Sequence, residues 1–180
     1  MSAQLSTTEH GCLTLVLGGA RSGKSRHAQI LAMATPPPWV YVATAEPLDD
    51  EMRERIAKHK ASRGDGWSTI ETPIELPQAV AQAPAGAPVV IDCITLWLSN
   101  LMLGAHDVSA AIARFTKTLN GRRAPTIVVS SEVGAGLVPE TALGRDFRDQ
   151  AGLINQHLAV TAHHVVFMVA GLPMPLKVLP

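Results

Sequence analysis

Short apolar runs alternate along the chain with stretches whose apolar positions recur every three or four residues, the signature of strands separated by helices. Leu13–Leu17 is such a run and ends in Gly18 and Gly19; Ser25 to Met33 then suits a helix until Thr35-Pro36-Pro37-Pro38 stops it. Trp39–Ala43 is rich in β-formers and predicts a second strand. A charged helix follows, with Asp49, Asp50 and Glu51 at its positive end, Met52 and Ile56 as an i,i+4 apolar pair, and Gly64 closing it. Residues 68–88 hold a short strand and a short helix among Pro73, Pro77, Pro84 and Pro88. Val89–Ile91 and Thr126–Ser130 predict further strands, with helices at Thr95–Leu103 and Val108–Leu119 between them. The longest helical pattern places Leu143, Phe147, Ala151, Ile154 and Leu158 on one stripe, and Val165–Val169 closes the series as a strand. Strands that are apolar throughout and separated by helices define an α/β domain with a mostly parallel sheet covered on both faces.

A length of 180 residues suits one such domain, expected over 13–180 behind a polar, flexible arm at 1–12. Fifteen Lys+Arg balance fifteen Asp+Glu, so no global basic field gathers nucleic acid or an anionic membrane. Met1–Gly11 has neither the basic nor the apolar region of an export signal, and the apolar run Cys93–Leu103 is broken by Thr95, Ser99 and Asn100, so no membrane span is expected. Cys12 and Cys93 match no metal-ligand spacing and fit a reduced, cytoplasmic setting.

The sharpest motif is Gly18-Gly19-Ala20-Arg21-Ser22-Gly23-Lys24-Ser25, which satisfies G-x-x-x-x-G-K-[ST] between a strand and a helix. In that context the fold class is a P-loop NTPase-like α/β domain. The glycines let backbone N–H groups approach phosphate oxygens, Lys24 reaches the β- and γ-phosphates, and Ser25 holds Mg²⁺. Asp92, directly after Val89-Val90-Ile91, has the position of the acid that completes that metal site. Thr116-Lys117-Thr118-Leu119 comes nearest to a guanine-reading N/T-K-x-D pattern but lacks its acid, so the base is not legible from pattern.

Arg55, His59 and Arg63 fall at i, i+4 and i+8, with Lys58 and Lys60 beside them. Spacing alone fits a solvated basic face carrying an incidental histidine. The same neighbours would also disfavour the imidazolium form and hold phosphates, which suits a nucleophile working on a phosphorus. His10, His27, His106, His157, His163 and His164 carry no comparable pattern.

These residues meet a known family. GGARSGKSRHA (Gly18–Ala28), YVATAEPLDDEMRERIAKHK (Tyr41–Lys60), IDCITLWLSNLM (Ile91–Met102), SSEVGAGLVPETALGRDFRDQAGLINQHLA (Ser130–Ala159) and VAGLPMPLK (Val169–Lys177) resemble, in order, the bifunctional adenosylcobinamide kinase/adenosylcobinamide-phosphate guanylyltransferases of cobalamin biosynthesis. The resemblance implies phosphoryl transfer from ATP or GTP to adenosylcobinamide. It then implies attack of a histidine, here His59, on the α-phosphorus of GTP and transfer of GMP to adenosylcobinamide phosphate. It further implies that Thr44, Ala45, Glu46, Lys60, Ala61, Ser62, Arg63, Glu71 and Asp92 line the nucleotide with the P-loop, Glu71 or Asp92 reading base or ribose and Asp92 also suiting Mg²⁺. Similar enzymes are trimers with substrate near a subunit boundary, which gives the Glu132–Pro139 loop a role in binding or assembly beside that of a glycine turn. Where some relatives carry adjacent histidines, this chain has Lys58-His59, leaving one candidate nucleophile. The rival readings are a P-loop small-molecule kinase that does not need His59, a GTP-binding regulatory module and a nucleic-acid motor; the missing base-reading acid and the zero net charge count against the last two.

Overall fold

A computed structural model describes residues 11–47, 49–61 and 63–178. Most of the expected N-terminal arm (residues 1–10), Ser62 and the side chain of Arg55 lie outside the described residues.

The elements run β1 (Leu13–Gly18), α1 (Lys24–Ala32), β2 (Trp39–Ala43), α2 (Asp50–Ala61), β3 (Trp67–Glu71), α3 (Leu76–Gln82), β4 (Val89–Asp92), α4 (Ile94–Leu103), α5 (Val108–Gly121), β5 (Thr126–Val129), α6 (Ala142–Thr161), β6 (His164–Val169) and β7 (Leu172–Val178). The seven strands form one sheet in the order β3-β2-β4-β5-β1-β6-β7. All neighbours are parallel except β6 and β7.

Strands buried on both faces still sort their side chains by alternation. Leu13, Leu15 and Leu17 of β1 join the larger core under α3, α4, α5 and α6, whereas Val16 faces Ala28 and Ala32 of α1 with Tyr41, Val90, Ile127 and Val129. Trp97 anchors the larger core. It is fully buried, packs 5.3 Å from Phe115 between ring centroids, and donates its indole N–H to the Ile74 carbonyl at 2.8 Å.

Helix starts follow their caps: the Asp107 carboxylate accepts from Ala110 N–H at 2.9 Å and the Thr141 hydroxyl from Gly144 N–H at 3.1 Å. The apolar stripe expected along α6 is buried at Ala151, Ile154 and Leu158, but Leu143, in the exposed first turn, is 54% exposed. β7 is absent from the pattern of apolar runs, since Pro173 and Pro175 interrupt LPMPLKV. An edge strand tolerates those prolines because one side of it owes no hydrogen bonds to a neighbour. Lys177 ties it to α6 by donating to the Ala159 and Val160 carbonyls.

α2 stands apart from the other helices, with no described side chain fully buried. It ends at Ala61, earlier than the Gly64 stop, so Arg63 is not on the helix.

Replacing Trp97 with Ala removes the anchor of the larger core and one of two hydrogen bonds to the Ile74 carbonyl, which keeps the one from Leu76 N–H. Urea denaturation is expected to show a loss of about 3–5 kcal/mol.

Candidate active site

In an open parallel sheet the loops leaving the carboxyl ends of the strands converge on one edge, where ligands bind. Here the loop after β1 carries the P-loop, the segment after β2 leads into α2, β4 ends in Asp92, and β5 runs into Ser130 and Ser131.

The P-loop conformation depends on its glycines. Gly18 has φ 147° and a Cβ there would sit 2.6 Å from the Met168 carbonyl oxygen; Gly23, at the α1 N-terminus, has φ 93°. Two bonds from neighbouring segments clamp the loop: Gly171 N–H donates to the Ser22 carbonyl at 3.1 Å and Glu132 N–H to the Gly18 carbonyl at 3.0 Å. Lys24 is buried and its Nζ donates to the Gly19 carbonyl at 2.7 Å.

Two adjoining hollows open over this loop and share Arg21, Lys24, Ser25 and His59. The outer one, about 470 Å³, lies between the P-loop and the charged side of α2, with Glu51, Glu54 and Lys58. The inner one, about 330 Å³, reaches Tyr41, Ala45, Glu71, Asp92 and Val133. His59 enters both because Met52, Ile56 and His59, at i, i+4 and i+7, form the half-buried stripe by which α2 faces the cleft. The cations around it are largely matched locally: Arg53 with Asp50 at 2.7 Å, Lys58 with Glu54 at 2.7 Å and Lys60 with Glu71 at 3.3 Å. Such exposed pairs add little stability, but they reduce the local positive field.

Arg63 lies over the Tyr41 ring, its guanidinium carbon 3.9 Å from the centroid, and donates to Thr69 Oγ1 at 3.3 Å. Tyr41 donates its hydroxyl to Asp92 Oδ2 at 2.6 Å. Burial first, and then the Asp92 carboxylate, hold the Tyr41 hydroxyl far above its ordinary range, so it remains a donor. Cys93 also lines the inner hollow, but burial and, next, Asp92 push its thiol up to about 11. A thiol so held is protonated at neutral pH and a poor nucleophile.

Ser25 and Asp92 supply a hydroxyl and a carboxylate to the same hollow. Such hard oxygen donors suit Mg²⁺, which takes one or two protein ligands and completes its shell with phosphate and water. Among the described residues no group of three or more His, Cys, Asp or Glu could hold a metal by itself.

Of the other expected nucleotide contacts, Ala20, Ala45, Arg63 and Glu71 line the inner hollow. Thr44 does not: it is fully buried, its hydroxyl donating to the Cys93 carbonyl at 2.7 Å and accepting from Cys93 N–H at 2.8 Å. Asn100 holds its carbonyl at 2.8 Å. Neither hollow is lined by Gly18, Gly19, Glu46, Lys60 or Ala61. Spacing did not single out Tyr41, Thr95 or Ser131, which sequence-distant segments bring into the cleft; the Met52–Ile56 pair, extended three residues, would have pointed to His59.

A glycine-clamped phosphate loop at the carboxyl edge of a parallel sheet, with an acid at the end of β4, one strand removed from β1 across β5, defines a P-loop nucleotide-binding protein. Solved structures share this fold at low identity: a prototypical ATPase from a bacterial type III secretion system (TM-score 0.58, 12% identical, covering 92% of this chain and 53% of that one) and the flagellar accessory protein FlaH from Methanocaldococcus jannaschii (TM-score 0.53, 16% identical, covering 95% and 80%). The family model for cobinamide kinase / cobinamide phosphate guanyltransferase matches residues 14–176, and the chain belongs to that family. It is 44% identical to the bifunctional adenosylcobalamin biosynthesis protein CobP of Pseudomonas aeruginosa, over 91% of this chain and 96% of that protein. It is 36% identical to the CobU protein of the same description from Escherichia coli, over 92% and 99%. The family and fold expected from the sequence are therefore borne out.

Replacing Thr44 with Val strands the buried Cys93 N–H. The variant is expected to lose about 1–3 kcal/mol in chemical denaturation. Its affinity for a fluorescent GTP analogue is expected to fall far less than that of Lys24→Ala, since Thr44 supports the loop without lining the cleft.

Proposed function

We propose that residues 13–180 form one catalytic domain that phosphorylates adenosylcobinamide with ATP or GTP and then transfers GMP from GTP to the product, giving adenosylcobinamide-GDP. The observation that carries this reading is that His59 lines the same cleft as Lys24 and Ser25, at the junction of the two hollows. A kinase alone does not need a histidine there.

In the first reaction the loop amides and Lys24 hold the triphosphate and neutralise charge as the terminal phosphoryl moves to the substrate hydroxyl; positioning and electrostatics carry most of such a step. Ser25 and Asp92 would hold Mg²⁺, which supplies charge neutralisation at the phosphates. In the second reaction a ring nitrogen of His59 attacks the α-phosphorus, a P–N bond forms, and the bond to the bridging oxygen breaks with release of pyrophosphate. The phosphate of adenosylcobinamide phosphate then attacks the same phosphorus and displaces His59. Each displacement inverts at phosphorus, and the relay keeps two polyanions from meeting directly. Arg21 and Arg63 line the hollows that His59 shares and would screen the departing charge. Lys58 and Lys60 are engaged with Glu54 and Glu71.

Glu71, which lines the inner hollow, is the acceptor we assign to the guanine or ribose. We assign the enzyme to the cytoplasm, in keeping with the free thiols of Cys12 and Cys93; among the described residues no helix is long and apolar enough to cross a membrane. We propose a homotrimer: Leu172, Met174, Leu176 and Val178 of the edge strand β7 are each about half or more exposed, as an intersubunit surface would require.

The test is labelling of the native chain with GTP carrying ³²P at either the α or the γ position. Protein-bound, acid-labile label is expected from the α position only, and none from His59→Ala. An unlabelled but folded, GTP-binding wild type would leave the kinase alone as the function.

A further inference from the structure

Tyr41 and Asp92 lie on neighbouring parallel strands, where Tyr41 is paired with Val90 and Asp92 lies two residues further along the same face. That diagonal lets the phenol reach the carboxylate, and the 2.6 Å contact has the length of a charge-assisted hydrogen bond from a hydroxyl to a carboxylate oxygen. The ring has little freedom to leave it. Tyr41 is 4% exposed, Arg63 covers one side of its ring, and Trp67 meets it edge-on at 6.1 Å and 75°. Trp67 is itself backed by Trp39, 5.4 Å away between centroids. So well fixed a donor sets which way the carboxylate of Asp92 is turned, taking Oδ2 and leaving Oδ1 for another partner.

We propose that Tyr41 is a positioning residue for the Mg²⁺ site: its hydroxyl holds Asp92 in the orientation that presents Oδ1 to the metal, with Arg63 and Trp67 fixing the ring. Partners that orient a metal-binding carboxylate typically change metal affinity by 10- to 100-fold when removed. This inference rests on Asp92 being a Mg²⁺ ligand.

Binding of a fluorescent GTP analogue is measured against Mg²⁺ concentration, and in EDTA, for the wild type, Tyr41→Phe and Asp92→Asn. Phe keeps the ring between Arg63 and Trp67, so only the hydroxyl is lost. The Mg²⁺ concentration for half-maximal binding is expected to rise about 10-fold or more in Y41F, in the same direction as in D92N. A shifted D92N with an unshifted Y41F overturns the role of Tyr41 while leaving Asp92 as the ligand. An unshifted D92N overturns the reading of Asp92, and this inference with it. If Y41F loses as much affinity in EDTA as in Mg²⁺, Tyr41 shapes the cleft and does not position the carboxylate, which also overturns it.

Discussion

The site depends on one tight constraint: the chain must turn sharply at the end of β1 while remaining clamped between two other segments. Gly18 leaves the strand where any Cβ would strike the Met168 carbonyl, and the Ser22 and Gly18 carbonyls are each taken by an N–H from elsewhere, Gly171 in the β6–β7 turn and Glu132 after β5. The loop is thus shaped by tertiary contacts as much as by its own sequence. Its outward-facing amides, at the N-terminus of α1, then form a concave surface suited to phosphate. The edge strand β7 contributes by folding back against β6, so the glycine of that turn reaches the phosphate loop.

Around this fixed point the other groups are held with different firmness. Asp92 is bonded to a wedged tyrosine and Thr44 is locked to the Cys93 backbone, so the floor of the cleft is rigid. His59, by contrast, rides on a helix whose described side chains are at most half-buried, anchored through Met52 and Ile56. The two proposed reactions, in which one triphosphate is attacked at its γ-phosphorus and a second, GTP, at its α-phosphorus, would benefit from that combination. The phosphates need a stationary cradle, while a nucleophile at His59 would stand aside for one reaction and engage in the other.

Much of the sheet was legible because each buried strand is an unbroken apolar run and each connecting helix has a marked beginning or end. β7 was not, because its two prolines are tolerated only on an edge that sequence does not reveal. The P-loop was legible to the residue, as its mechanism requires particular residues at fixed spacing. His59 was found within a basic run, but the reason it faces the cleft is different: it continues the Met52–Ile56 stripe, while Lys58 and Lys60 pair with acids and Arg63 leaves the helix to cover Tyr41. Thr44 was expected at the nucleotide and instead ties β2 to the Cys93 backbone beyond β4. Only the paired register of the strands shows that its hydroxyl is already used.

The account requires a single bound GTP to lie with its phosphates on the P-loop and its α-phosphorus in reach of His59. A crystal structure of the chain with Mg²⁺ and a GTP analogue resistant to α–β cleavage tests this directly. A ring nitrogen of His59 is expected within about 3–3.5 Å of the α-phosphorus and roughly in line with the bond to the bridging oxygen, the geometry of a near-attack conformer. A nucleotide bound in the cleft with His59 turned away and another side chain in line with that phosphorus would contradict it.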